Sequence, residues 1–301
     1  MAAIILQQAP WQLVNCGVQY IELDEITQTY GNDIVHGFCT RKGGISQGSY
    51  NSLNCCITSK DNIVDIITNI AMVQAAFCQD ITDDYGDYYP NQSKAYELVL
   101  KVTQQTHSNI VIEVDDPHLD TTSLEADALV TRLPGILLGV QTADCTPILL
   151  YDWKNKIIAS IHAGWKGAFS GIIQNTINVI GRMKGDAKAT IAMVGPNIAM
   201  HHYEVSDDFY QQFMAEDRGN LEFFSRKFGE HYYFDLRGYC IKQLIDNGIM
   251  VHNIHNLALD TYSNEDLFFS CRRARQEAKV HGNETAIFGG QLSVIGMQAS
   301  G

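Results

Sequence analysis

Short apolar runs bounded by turn residues dominate the chain, interrupted by a few stretches whose apolar residues recur every three or four positions. The runs rich in Ile, Val and aromatics predict strands over residues 3–6, 34–40, 109–114, 127–131, 136–141, 146–151, 156–161, 190–194, 266–271, 284–288 and 291–297. Helical spacing predicts helices over residues 62–77 (Ile63, Ile66, Ile67, Ile70 and Val73), 93–101, 168–183 (Ile172, Ile173, Ile177 and Ile180), 207–214 and 239–246. Several strands follow one another through short turns, without the rhythm of a doubly wound sheet, so the pattern favours an α+β fold with mixed sheets. No internal repeat or Pro/Ser-rich linker divides the sequence, and residues 1–301 are expected to form a single domain. The acidic, tyrosine-rich stretch at residues 80–90 reads as a surface loop, with a lid as the rival reading.

The most informative stretch is ADCTPILLYDWKNKIIASIHAGWKG, residues 143–167. Two apolar runs of equal length flank Asp152, Trp153, Lys154 and Asn155, which have the composition of a four-residue hairpin connection. If Tyr151 pairs with Lys156, the ladder carries Cys145 to a position opposite His162, on one face, with Cβ atoms about 4.5–5.5 Å apart. A thiol and an imidazole so placed suit two ligands of one tetrahedral metal ion, or a nucleophile and its base. Two buried polar residues at a strand end are the plainer alternative. Beyond His162 the chain passes through Gly164 and Gly167 into a helix, whose first amides with Lys166 form either an anion cradle or simply a turn. Asp144, beside the cysteine, is a candidate proton carrier or a turn residue.

Composition narrows the partners. The chain has 301 residues, 46% of them hydrophobic, enough to bury a core without disulfide staples. Against 21 Lys and Arg stand 34 Asp and Glu, and the net charge of -13 disfavours nucleic acid and anionic membrane surfaces. No Lys or Arg precedes Arg41 and no apolar run approaches the roughly 20 residues of a membrane span, so a soluble, cytoplasmic protein without an export signal is expected. Eight cysteines without a C-x-x-C read as reduced thiols. Ten histidines without a His-x-His argue against a blue copper centre with a trinuclear cluster, which draws on repeated pairs of that kind.

Several blocks carry a resemblance: HGFCTRKGGIS (36–46), SYNSLN (49–54), QQTHS (104–108), EADALVT (125–131), TADCTPILL (142–150), IHAGWKG (161–167), VGPNIAMHHYEV (194–205) and FFSCRRARQ (268–276). Together they resemble the YfiH-like proteins, once labelled a multicopper polyphenol oxidase (laccase) domain and regarded as zinc-containing purine nucleoside phosphorylases with adenosine deaminase activity. The resemblance implies a four-layer α/β/β/α arrangement with mixed sheets, and zinc held by His107, Cys145 and His162; His107 rests on the resemblance alone. It further implies phosphorolysis of adenosine, inosine, guanosine or methylthioadenosine to free base and ribose-1-phosphate, alongside deamination of adenosine. In that chemistry Arg41 is suited to a bidentate phosphate contact, supplemented by Lys166, and Asp144 is the candidate for moving protons. Gln105 is suited to a purine edge or ribose hydroxyl, and Asn54 to either substrate or loop.

The sequence departs from the family pattern at Ser108, at His201 and His202 where cysteines often stand, at Ala274 where an aspartate follows the paired arginines, and at Gly290 where an arginine is usual. Two other readings remain open at this level: a cysteine hydrolase using Cys145 and His162, such as one that edits peptidoglycan precursors, and weak copper-dependent oxidation of polyphenols at the same three ligands. A structural zinc in an interaction module is a third.

Overall fold

Apolar residues on both faces of the central runs bury them completely, and these runs build two six-stranded mixed sheets. The computed structural model describes residues 8–78, 98–226, 231–282 and 284–298, so the strand expected at 3–6 and the loop at 80–90 lie outside the described residues. One sheet runs in the order β1 (Trp11–Cys16), β2 (Val18–Leu23), β3 (Ile34–Cys39), β15 (Gln291–Met297), β7 (Ile136–Thr142) and β4 (Val99–Lys101). The other runs β14 (Ile254–Asn256), β10 (Thr190–Val194), β8 (Thr146–Asp152), β9 (Ile157–Ala163), β6 (Ala128–Thr131) and β5 (Val111–Glu113). The β4–β7, β5–β6 and β10–β14 pairs are parallel and the other neighbours antiparallel. A small third sheet joins β11 (Glu204–Ser206), β13 (His231–Phe234) and β12 (Phe224–Arg226). Among the described residues, seven α-helices accompany them: α1 (Asp24–Tyr30), α2 (Ile63–Cys78), α3 (Trp165–Phe169), α4 (Ile172–Arg182), α5 (Asp207–Glu216), α6 (Leu236–Asp246) and α7 (Cys271–Val280).

Three apolar clusters define four layers. Ile21, Phe38, Leu138 and Ile295 of the first sheet meet Leu149, Tyr151, Ile158 and Met193 of the second, so the sheets pack face to face. Val73 and Phe77 of α2 cover the outer side of the first sheet against Leu137, Leu292 and Val294. Ile173, Ile180 and Leu244 of α4 and α6 cover the outer side of the second against Ile148, Leu150 and Ile161. The result is the α/β/β/α arrangement anticipated from the motifs. It explains why β7, β8 and β9 are buried along their whole length and read as continuous apolar runs rather than alternating ones.

Several expectations are corrected. Residues 266–271 are not a strand: Phe268 and Phe269 are buried in an irregular segment, and Ser270 caps α7 by accepting from the Arg273 N–H. The segment 284–288 is irregular as well. Of the helix read at 93–101, residues 93–97 lie outside the described residues, and Val99–Lys101 is instead a strand, paired in parallel with β7 at the sheet edge. The helix at 168–183 is two helices, α3 and α4, parted at Gly171, whose φ of 91 is left-handed.

Inside the first sheet, His36 is 3% exposed and its Nε2 accepts the Leu23 N–H at 2.9 Å. Burial, with His255 adding to it, pushes its pKa down from 6.5 to about 3. Between those values the unfolded chain binds a proton that the folded chain excludes, so stability is intact above the unfolded pKa and falls as the pH drops below it. The expected loss is about 1.4 kcal/mol per pH unit from this residue. Denaturant titrations between pH 7 and pH 4.5 should show His36→Gln with a pH slope about one proton shallower than wild type; parallel slopes would contradict the assignment.

Candidate metal centre

The β8–β9 hairpin delivers two of the candidate ligands, with a register one residue further along each strand than expected. Asp152 pairs with Ile157 and Pro147 with His162, so the four-residue connection is 153–156. The buried Asp152 carboxylate sets this turn: Oδ1 accepts the Lys154 and Asn155 amides at 3.1 and 3.0 Å, and Lys156 closes it at a φ of 52. Cys145 therefore stands diagonal to His162 rather than directly across from it. Moving the pairing by a two-residue step leaves both side chains on the expected face, and their ligand atoms converge.

The third, His107, sits in the loop between β4 and β5, at a φ of 59 that few non-glycine residues adopt. Asp127, just ahead of β6 and fully buried, holds it there. Its carboxylate accepts the backbone N–H groups of Thr106, His107 and Ser108 at 3.2, 3.1 and 2.6 Å, and the Ser108 hydroxyl at 2.6 Å. Asp127 Oδ1 also lies 2.7 Å from His162 Nδ1. Burial works to raise this carboxyl, but the bonds from His162 and Ser108 outweigh it and bring the pKa to about 2. An ionised Asp127 fixes a proton on His162 Nδ1 and leaves Nε2 as that ring's lone-pair nitrogen.

One ligand atom from each of His107, Cys145 and His162 lies within 4.8 Å of the other two. Cys145 Sγ is 3.8 Å from His107 Nε2, and the two imidazole rings meet edge to face at 4.8 Å. Burial, reinforced by His162, lowers the His107 pKa to about 4, so the ring is neutral at pH 7, as a metal ligand must be. Burial and then Asp144 push the Cys145 thiol up. Gly164 closes the cluster at the end of β9: a Cβ there would fall 2.7 Å from His107 Cδ2 and 3.0 Å from Cys145 Sγ. One thiol, two neutral imidazoles and a carboxylate behind one of them are a donor set that fits a borderline-soft divalent ion.

The cluster opens onto a cavity of about 540 Å³, a size that accommodates a small organic ligand. Gln105, Asp144 and Lys166 share its wall. Gln105 is bound at both ends of its amide to the backbone of Gln141, at 2.6 and 2.7 Å. Asp144 is 8% exposed; one carboxylate oxygen accepts the Thr261 hydroxyl and the other the Arg272 N–H, both at 2.6 Å, and burial pushes its pKa up. Lys166 is exposed, its ammonium near the Trp165 ring.

Arg41 and Asn54 are not brought to this cavity. Arg41 lines a separate, smaller recess with Glu265 and Asp266; its Nε donates to Asn51 O at 2.8 Å and its guanidinium lies over Phe269. Asn54 is fully buried, accepts the Cys56 and Gly290 amides and donates to Ser59 and Asp61. It anchors the chain at Gly290, which does line the cavity. Sequence reasoning missed Asp127, and it missed Arg272 and Arg275, whose place on the cavity wall was foreshadowed only by the basic cluster opening α7.

A face-to-face pair of mixed sheets covered by helices on both outer sides, with a His, Cys, His cluster at a strand end, defines this protein, and its fold is one that known proteins share. The chain belongs to the family described as multi-copper polyphenol oxidoreductase laccase, whose model matches residues 35–297, the YfiH-like family to which the motifs pointed. It is 40% identical over 182 residues to a protein of Rickettsia conorii named purine nucleoside phosphorylase, covering 60% of this chain and 72% of that one. It is 30% identical over 201 residues to adenosine deaminase RL5 of an unknown prokaryotic organism, covering 64% and 71%. The crystal structure of a hypothetical protein YfiH from Bacillus licheniformis superposes with a TM-score of 0.79 at 24% identity, covering 96% of this chain and 99% of that one, which establishes the shared fold. Among the described residues, no helix is long and apolar enough to cross a membrane.

The geometry makes two substitutions informative. Asp127→Asn should weaken divalent-metal binding at the cluster by about 10–100-fold, because His162 loses the carboxylate that fixes its tautomer. Gly164→Ala should weaken it to a similar extent, about 10–100-fold, by pressing a methyl group between His107 and Cys145 while leaving both donors in place. Chelator competition on the folded variants measures both, and wild-type affinity in the two together would show that neither residue shapes the site.

Proposed function

We propose that the protein is a zinc-dependent enzyme of purine nucleosides, cleaving them with phosphate to free base and ribose-1-phosphate and deaminating adenosine in the same cavity. The observation that carries this reading is the meeting of the His107, Cys145 and His162 cluster with the exposed cations Lys166 and Arg275 in the wall of one cavity of about 540 Å³. The names of the relatives support it, one a purine nucleoside phosphorylase and one an adenosine deaminase. Bound by those three donors, zinc would supply a Lewis acid and a water acidified towards a pKa of roughly 7.

The chain's own residues divide the remaining work. Asp127 holds the His162 ring, and burial keeps His107 unprotonated and able to donate its lone pair. Lys166 and Arg275 attract and orient the phosphate dianion, a role for which their exposure at the cavity mouth suits them better than the recessed Arg41. Gln105, committed to the Gln141 backbone, shapes the wall behind the substrate. Asp144, whose carboxyl is raised by burial, is the group suited to hold a proton beside the cluster, with Thr261 and Arg272 fixing its position.

One observation favours a second reading. His162 is oriented by Asp127 as the base of a cysteine hydrolase is oriented by its third member, so Cys145, His162 and Asp127 could serve nucleophilic catalysis. Against it stands the direction of the Cys145 shift, upward, which disfavours a free thiolate.

Purified protein incubated with adenosine separates the readings. We expect free adenine and ribose-1-phosphate only when phosphate is present, inosine with or without it, one zinc held by His107, Cys145 and His162, and loss of both activities in Cys145→Ala. Lys166→Ala and Arg275→Ala should each raise the KM for phosphate by about tenfold, the worth of one charge-assisted hydrogen bond, with deamination spared. Undiminished turnover by the metal-free protein, together with alkylation of Cys145, would overturn the zinc reading in favour of the hydrolase.

A further inference from the structure

We propose that His201, His202 and Asp260 form a second binding site for a divalent transition-metal ion of the kind that imidazole and carboxylate donors select, such as zinc, cobalt or nickel. One ring nitrogen from each histidine and one carboxylate oxygen of Asp260 lie within 4.8 Å of one another. Donors held at about 2.0–2.2 Å by one tetrahedral ion stand about 3.3–3.6 Å apart, and rotation of the exposed His201 side chain would bring its ring nitrogen to that distance from the other two.

Two loops are strapped together to bring these donors to one place. Met200–His202 forms a single 3-10 turn after β10, and Asp260 lies beyond β14, the parallel neighbour of β10. Asn197 and Asp260 form a parallel bridge, with Asn197 N–H donating to Leu259 O at 3.2 Å and Thr261 N–H to Asn197 O at 3.1 Å. The Asn197 side chain, fully buried, is itself held by Arg237 and Thr146. The cluster is thus built on rigid backbone before any ligand arrives, which lowers the entropic cost of binding.

The donors are also prepared chemically. Asp260 accepts the amides of Ala199, Tyr262 and Ser263 and the Ser263 hydroxyl, and its Oδ2 lies 2.7 Å from His202 Nδ1. His202 is further fixed by stacking on Tyr262 at 4.3 Å. The ion would take the place of the proton now shared between His202 Nδ1 and Asp260 Oδ2, two donors already facing each other. The ring of His201 packs at 4.2 Å from that of His202, and among the described residues none hydrogen-bonds to it, so its lone pair is available. A net charge of -13 on the chain favours a cation at this partly open position.

The site stands one residue away from the cavity wall along both loops. Tyr203, next to His202, lines the cavity, and Thr261, next to Asp260, donates to Asp144 beside Cys145. An ion here would therefore brace the wall from behind.

Cobalt titration of the whole chain tests the proposal apart from the zinc reading, because cobalt bound to a thiolate shows a near-ultraviolet charge-transfer band and cobalt bound only to nitrogen and oxygen does not. Wild type should take up one equivalent of Co²⁺ without that band, and this equivalent should vanish in His201→Ala and in His202→Gln while any thiolate band is unchanged. A Co²⁺-dependent rise in Tm should likewise shrink in His201→Ala, whose altered side chain is exposed and leaves the fold intact. Retention of the thiolate-free equivalent in both variants, or its absence from wild type, would overturn the proposal. Failure of the zinc reading would appear separately, as the lack of the thiolate band.

Discussion

Asp127 places a full negative charge where no water reaches, and the cost of burying it is met by the donors gathered round it. Those donors belong to two different parts of the chain. Three consecutive amides come from the loop at His107, and the ring nitrogen comes from His162 at the end of β9. One carboxylate thereby fixes the backbone of one candidate ligand and the tautomer of another. The left-handed backbone of His107, a conformation that costs of order 1–3 kcal/mol for a residue with a Cβ, is held by the same set of bonds. Remove the charge and the strained loop and the imidazole lose their common reference.

What the sequence shows and hides follows from how local each determinant is. The apolar runs that became β3, β7, β8, β9, β10 and β15 are legible because sheets covered on both faces need uninterrupted burial. The convergence of Cys145 and His162 was legible too, since side chains of a hairpin alternate with period two and survive a two-residue error in pairing. The error itself came from Asp152, whose side chain captures the turn amides and moves the connection by one residue. The short edge strand β4 is invisible: its three residues are too few to show a period, and only its neighbour β7 makes it a strand, whereas β5 falls within the run read at 109–114. Residues 266–271 misled because Phe268 and Phe269 are buried by packing rather than by a ladder.

The same distinction separates the site residues. Asp127 carries no local signature, since its four partners lie on segments far from it in sequence and only the folded chain assembles them. Arg41 and Asn54 belong to blocks that mark the family, yet Arg41 spends its Nε on Asn51, and Asn54 satisfies the buried amides of Cys56 and Gly290. Family motifs record every residue a fold cannot easily exchange, and buried amides that need a partner are as demanding as a substrate. The cations left at the cavity are Lys166, Arg272 and Arg275, and of these Arg272 is tied to the carbonyls of His202 and Glu204.

The placement of charge bears on how an acidic chain could receive an anion. The net charge of -13 is a property of the whole surface and acts over distances that physiological salt screens to about 8 Å. Inside the cavity the local balance is different: the Asp127 charge is spent on hydrogen bonds behind the lining, Asp144 is shifted toward its neutral form by burial, and Lys166 and Arg275 are exposed in the wall. The cavity is therefore poorer in negative charge than the surface that surrounds it. A small dianion in the cavity would meet cations at close range and the repulsive surface charge only at a screened distance, whereas a polyanion lying along the exterior would meet that charge over its whole length. The charge a small anion would meet in the cavity is thus set by where the carboxylates sit, not by how many there are.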